Sequence, residues 1–486
     1  MKKKSLGTNA LLNGIKDIMS VLFPLITFPY VSKVLQVDNL GKYNFSSSII
    51  DYFLLLAQLG ISTYAVREGT KVREQKEKIQ QLSSELFSIS IVSMLISYLL
   101  LFITVIAIPK LHNYSLLIAI FSLRIFFRII GTEWIYTIYE DYAYITKRSI
   151  LFQCISLLLL FLFVKKQEDI YVYAFITVLA DAGSNILNYI HAKKICRIKL
   201  LFHYNYKIHM KPIMIIFAYA IATTIYVSSY TTILGFMVND YHVGLYSVAV
   251  KIYSVVKMLL STLIIVSIPR LSSYIGSKQI DIYNSTFNKI LNSLFIIVFP
   301  AVVGLFCLNK EVILFLSDIT YIEASNSVRL LSLSLIVCLF GWLFRSCVLV
   351  PNGKESKVLI ATVVSAVLNI VLNLILIPFW KQDAAAITTI IAEGCAMIMS
   401  IKYAKGLVEI RNFAHSLLTV CIGCVGIIVV CYLFKLTMLS NFIYIVVCVI
   451  CSALIYTVIL VMTKNQYILS LISDSKSMIS NKFSKK

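Results

Sequence analysis

The 486 residues are 59% hydrophobic and 14% charged, against roughly 25% charged in soluble domains, which excludes a water-soluble globular core. The net charge of +21 comes from basic residues scattered among short loops, so it sets membrane topology and argues against a nucleic-acid partner. The eleven Cys lie almost wholly inside apolar stretches with no acid or histidine beside them. They read as small apolar helix residues, and no metal site, disulfide framework or cofactor is expected.

Met1-Lys2-Lys3-Lys4 leads into an apolar stretch longer than a signal-peptide core and without a small-residue cleavage site, so this stretch is expected to stay as the first helix. Pro24 and Pro29 fall within it and should kink it. Strand-period alternation is absent, and apolar runs of about 20 residues recur, the length that crosses a bilayer as helix. About 14 transmembrane helices are expected, near residues 10–35, 43–65, 84–108, 114–136, 144–164, 170–192, 213–237, 244–268, 287–309, 326–350, 354–378, 383–405, 413–435 and 441–463.

The loops between them fall into two alternating sets, one carrying roughly 28 Lys and Arg and the other about eight. Both termini are therefore expected on the cytoplasmic side of the membrane. No extracytoplasmic loop exceeds roughly 18 residues and the longest cytoplasmic ones are of similar size, so there is no room for a folded soluble domain. Asp38 and Gly41-Lys42-Tyr43 can be laid over Asp240 and Gly244-Leu245-Tyr246. That weak repeat points to two six-helix halves in the same orientation. The expected division is residues 1–208 for helices 1–6, 209–408 for helices 7–12, and 409–486 for two further helices and a cytoplasmic tail.

A charge at the bilayer centre costs roughly 2.5 to 3.5 kcal/mol on the insertion scale, yet Asp51, Arg124, Asp181, Lys257 and Glu393 all sit near mid-span. Lys16, Asp17, Arg128, Glu133, Lys251 and Arg345 join them. Such a set implies a hydrated interior, or else interhelical ion pairs. Arg124 and Arg128, four residues apart, project from one helical face and suit a phosphate. With Lys251, Lys257 and Arg345 they are the candidates for lining a cationic cavity. Asp51, Asp181 and Glu393 are the candidates for a carboxylate that couples transport to an ion gradient. Glu133 lies about 140° around an unbroken helix from Arg128 and is expected outside that cluster. Asn369 and Asn373, one turn apart, suit bonds across helices or contact with a sugar. Asn352-Gly353-Lys354-Glu355 does not fit a phosphate-binding loop, and no nucleophile triad or metalloprotease helix is present. The pattern points to transport rather than catalysis.

Pro24 to Leu35, Asn39-Leu-Gly-Lys-Tyr-Asn-Phe45, Asp51-Tyr-Phe53 and Leu59 to Glu68 together resemble the N-terminal signature of bacterial polysaccharide repeat-unit flippases. Val243 to Ile252, Pro269-Arg270, Pro300 to Gly304, Asn369 to Pro378 and Ala384-Ala-Ala386 are similar to the second half of that family. The resemblance runs to about residue 410. It implies the fold of the multidrug/oligosaccharidyl-lipid/polysaccharide exporter superfamily: an all-α integral membrane protein with two six-helix lobes around a central cavity and two C-terminal helices. It also implies alternating access and a substrate, an undecaprenyl-diphosphate-linked oligosaccharide crossing the bacterial cytoplasmic membrane for O-antigen or capsule synthesis. A polysaccharide polymerase and a chain-length regulator are the implied protein partners. Two positions depart from the family: Gln36 where a glycine usually follows the leucine, and Ala65 where Tyr-Gly is common. The rival readings are a cation-coupled multidrug exporter of the same superfamily, which the central basic residues oppose, and a membrane glycosyl polymerase, which the short loops oppose.

Overall fold

The computed structural model describes residues 6–410, 413–436, 440–465 and 467–468; the side chains of Lys16 and Asp17 lie outside the described ones. Among the described residues there is helix and turn but no strand, and eleven helices are long and apolar enough to cross a membrane. The chain is a multi-pass helical membrane protein. It divides into two compact units, Met1–Ser247 and Val248–Lys486.

The first unit holds α1 (Leu6–Gln58), α2 (Ile61–Val72), α3 (Lys76–Ala107), α4 (Ser115–Ile130), α5 (Trp134–Ile138), α6 (Tyr142–Phe163), α7 (Ile170–Ile195), α8 (Lys207–Met237) and the start of α9 (Asp240–Gly276). α1 is its spine and packs on α3, α4, α6 and α8. Small residues allow the close approach: the hydroxyls of Ser93 and Ser97 on α3 each donate to a backbone carbonyl of α1, at Ala57 and Phe53, over 2.6 Å. The opposite face of α3, with Leu95, Leu99, Phe102 and Ile106, is exposed, as a lipid-facing stripe must be. At the far end of the unit His209 of α8 ties three helices together, its ring bonded to Tyr64 of α2 and Glu85 of α3 at 2.9 and 2.8 Å.

The 53 residues of α1 are long enough for two spans, and they meet at a kink at Gln36 (φ 62°, ψ 174°). Pro24 and Pro29 lie inside the first arm, and the non-helical dihedrals fall on Gln36 instead. This accounts for the glycine usual at this position in the family resembled, because a backbone with positive φ and ψ near 180° is nearly confined to glycine and costs other residues roughly 1–3 kcal/mol. The Gln36 amide donates to the carbonyl of Lys33 at 2.8 Å, which offsets part of that cost. Gln36→Gly is expected to stabilise the protein by about 1 kcal/mol, the relieved strain less the extra chain entropy of glycine. A lower melting temperature in detergent would count against this account of the kink.

The two arms of the internal repeat meet in the first unit. A Cβ built on Gly41 would fall on the carbonyl oxygen of Asp240, and one built on Gly244 would fall on the carbonyl oxygen of Val37. The contact is reciprocal, since Val37 and Gly41 stand in the same relation as Asp240 and Gly244. Beside this crossing the Tyr114 hydroxyl donates to the Asp240 carboxylate at 2.8 Å, and the Lys110 ammonium donates to the Phe236 carbonyl at 3.0 Å.

The second unit contains the rest of α9, α10 (Ile280–Cys307), α11 (Asn309–Leu316), α12 (Ser325–Phe344), α13 (Glu355–Ala404), α14 (Phe413–Lys435) and α15 (Asn441–Met462). α13, 50 residues long, repeats the device of α1, with its kink at Lys381 (φ 51°, ψ −128°). Its two arms are joined by buried polar side chains: Asn373 donates to Asn369 at 2.9 Å and accepts from Thr388 at 2.6 Å. Here the sequence expectation of bonding across helices holds. Asn373→Ala strands two buried polar groups and is expected to cost about 1–3 kcal/mol, measurable as a lower melting temperature. α14 and α15 pack together and on α10 around Val420, Ile427, Cys431, Tyr444 and Cys448.

Candidate functional site

Three helices of the first unit turn polar stripes toward one another. On α1 these are Ser47, Asp51, Leu54 and Gln58, on α4 Phe121, Arg124 and Arg128, and on α7 Thr177 and Asp181. The intervals of three and four put each set on one helical face. All but Asp51 line a cavity of 430 Å³, together with Tyr43, and Asp51 is reached from its wall. Arg124 Nη1 lies 3.3 Å from the Asp51 carboxylate and 3.2 Å from the Ser47 hydroxyl. Arg128 Nη1 lies 3.4 Å from Asp181, whose same oxygen accepts from Asn185 at 3.3 Å.

Every one of these contacts runs through Nη1. Nε and Nη2 of both arginines have no hydrogen-bond partner among the described residues. The side chains are 26% and 41% exposed, so these donors open to the cavity rather than being stranded in the core. Two guanidinium groups one turn apart, each held by one nitrogen and offering its others, can take up two anionic oxygens at once.

Glu133 is a correction to the sequence reading. Its carboxylate lies 3.6 Å from Arg128 Nη1, inside the cluster. The angular argument assumed a continuous helix, but α4 ends at Ile130 and Thr132 takes positive φ (40°), which swings Glu133 back. Arg148 is a residue that the sequence reading missed. It falls inside the expected span 144–164 but is absent from the candidate charges; in the structure α6 begins at Tyr142, and Arg148 is 5% exposed with Nη2 4.0 Å from Glu133. The remaining nitrogens of Arg148 have no hydrogen-bond partner among the described residues, so its one charged contact is with Glu133. The signal was its place four residues inside an expected membrane span. Among the described residues, three cations face three carboxylates here.

The second unit carries its own charged group. Arg345, at the head of a π-helical turn over Arg345–Leu349, lies 3.6 Å from Glu393, which is 5% exposed. Lys257 stands 5.5 Å from the ring of Tyr253, with Glu393 and Arg345 acting on its charge. Lys251 is half-buried on the same helix. Among the described residues, Arg345 pairs with Glu393 and Lys257 has no ion pair within 4 Å, and the cations named here outnumber the carboxylate.

The fold matches solved membrane transporters. The lipid II flippase MurJ in an inward closed conformation superposes with a TM-score of 0.75 at 16% identity, covering 94% of this chain and all of that one. An inward-facing multidrug resistance MATE family transporter of the MOP superfamily gives 0.57 at 13% identity, over 79% and 97% of the two chains. At these identities the likeness defines the class of fold.

The model of the polysaccharide biosynthesis protein family matches residues 6–275, more than half of the sequence, and the chain belongs to that family. A protein of Escherichia coli (strain K12), provisionally named an O-antigen transporter, is 24% identical over 274 residues, 56% of this chain and 66% of that protein. The match thus spans just under two thirds of the relative's length.

Proposed function

We propose that the protein is a flippase that carries an undecaprenyl-diphosphate-linked oligosaccharide repeat unit from the inner to the outer leaflet of the bacterial cytoplasmic membrane. It works by alternating access, with both termini in the cytoplasm. The observation that carries this reading is the pair Arg124 and Arg128, whose Nε and Nη2 donors face a cavity and lack partners among the described residues. A diphosphate must lose much of its hydration to cross a bilayer, and fixed guanidinium donors replace that hydration. Membership of the polysaccharide biosynthesis family and the flippase fold support the same reading.

The carboxylates have a defined part in the cycle. With no substrate bound, Asp51 and Asp181 compensate the arginines. An arriving diphosphate competes for the same cations, so release on the far side is helped by the carboxylates closing back. Asp51, Asp181 and Glu393 remain the coupling candidates, and a polymerase and a chain-length regulator are the expected partners on the product side. A cationic drug would find Asp51 and Asp181 already engaged, which disfavours the multidrug reading.

The test is repeat-unit translocation in cells deleted for their own flippase, comparing the wild-type chain with Arg124→Ala and Lys257→Ala at equal membrane abundance. Surface glycan should fall and the lipid-linked intermediate accumulate inside. Normal surface glycan from both variants would make these charges structural and overturn the proposal.

A further inference from the structure

A second cavity, of 270 Å³, adjoins the first and shares Gln58 and Arg128 with it. Its character is different. Besides Glu133, which Arg128 holds, its polar wall is neutral: Gln58, Ser62, Ser90 and Thr137, with the indole of Trp134 and the side chains of Ile61, Val66 and Ile129. Ser90 is bonded to its own helix at the Leu86 carbonyl. The side chains of Gln58, Ser62 and Thr137 have no hydrogen-bond partner among the described residues.

Those three groups come from three different elements, the end of α1, the start of α2 and α5, which the break at Leu59–Gly60 and the turn at Thr132 bring together. Their amide and hydroxyl groups both donate and accept. Unengaged neutral groups of that kind, set beside an indole, suit a ligand that carries many hydroxyls on a partly apolar ring. They suit neither a second phosphate, which would ask for cations, nor an acyl chain, which would leave the polar groups stranded. The volume is many times the roughly 30 Å³ of one water, enough for a ring-sized ligand.

We infer that this cavity is a glycan subsite, which seats the sugar next to the diphosphate while Arg124 and Arg128 hold the phosphates. The inference rests on the flippase reading and adds a recognition element to it. Arg128 touches both cavities and so lies at the junction of phosphate and sugar. Discrimination at this subsite is by hydroxyl placement, through Thr137, Ser62 and Gln58. Trp134 supplies the apolar face.

The experiment measures binding of two lipids to the purified full chain in detergent: undecaprenyl diphosphate without sugar, and the undecaprenyl-diphosphate-linked repeat unit extracted from the host strain. The wild-type chain is expected to prefer the glycosylated lipid by about tenfold, the worth of one or two well-made hydrogen bonds. Thr137→Val, which keeps the side-chain shape, and Trp134→Phe should each reduce that preference to about twofold or less. The readout is the ratio between the two lipids, so partial loss of active protein in one variant does not alter it. A ratio unchanged in both variants, or a wild type that holds both lipids equally, overturns the glycan subsite and leaves the diphosphate reading standing. A wild type that binds neither lipid overturns the flippase reading itself.

Discussion

Arg128→Ala is expected to lower export of the repeat unit by roughly 10- to 100-fold, the factor that corresponds to one lost charge-assisted hydrogen bond of about 1.5–3 kcal/mol. Stability should hardly change. The side chain is 41% exposed, and its contacts to Asp181 and Glu133 are 3.4 and 3.6 Å long, so the ion pairs contribute at most about 1 kcal/mol after solvent screening. That contrast separates a binding role from a structural one. Arg128→Lys keeps the charge but loses the planar fork, and should fall between the wild type and Arg128→Ala. Asp181→Asn acts in the opposite direction: it frees the guanidinium, so the lipid-linked substrate should bind more tightly and turn over more slowly. Surface glycan and bound glycolipid, measured at equal protein abundance and compared with melting temperature, would decide the matter. Equal losses of stability and export in Arg128→Ala would place the residue among the packing contacts.

The second large effect is expected at the glycine crossing. Gly41→Val places its Cβ on the backbone of Asp240, and Gly244→Val places its own on the backbone of Val37. Backbone cannot rotate out of the way as a side chain can, so α1 and the start of α9 must separate. A cost of about 3 kcal/mol, the upper part of the usual range for overpacking, is expected for each. Because the two contacts belong to one crossing, the double variant should cost clearly less than the two single costs combined: once the first substitution has opened the crossing, the second meets free space. Thermal unfolding of the four proteins in detergent gives that comparison. Full additivity would mean that the two glycines act at separate places, and the reciprocal contact would then have no energetic meaning.

Much of this was legible in the sequence, for identifiable reasons. Apolar length alone fixed the helical membrane class. The four-residue interval of Arg124 and Arg128 placed both on one face of α4, because neighbours on a helix follow from local geometry. Their partners Asp51 and Asp181 could be named as buried charges but not assigned to them, since pairing across α1, α4 and α7 depends on packing that no local interval encodes. Glu133 was misplaced because one residue of positive φ, Thr132, ends the helix on which the angle was counted. Arg148 was missed because a cation at a helix start and a cation in a loop look alike to a tally of charges. The glycine repeat was visible as a likeness between two segments, but not as a contact in which each glycine meets the backbone of the other arm. Gln36 shows the reverse case: its departure from the family glycine marked in advance the place where the backbone takes positive φ.

The balance of three cations and three carboxylates in the first unit has an electrical consequence for a carrier of the kind proposed. Without substrate, these six described charges sum to zero, so the field of the membrane does little work on this cluster. Loaded, it carries the negative charge of the diphosphate, and each elementary charge moved across the whole field is worth about 2.3 kcal/mol per 100 mV. With the cell interior negative, voltage would therefore favour the outward step of the loaded cluster and act far less on the same cluster when empty, a bias set by the pairing of its fixed charges.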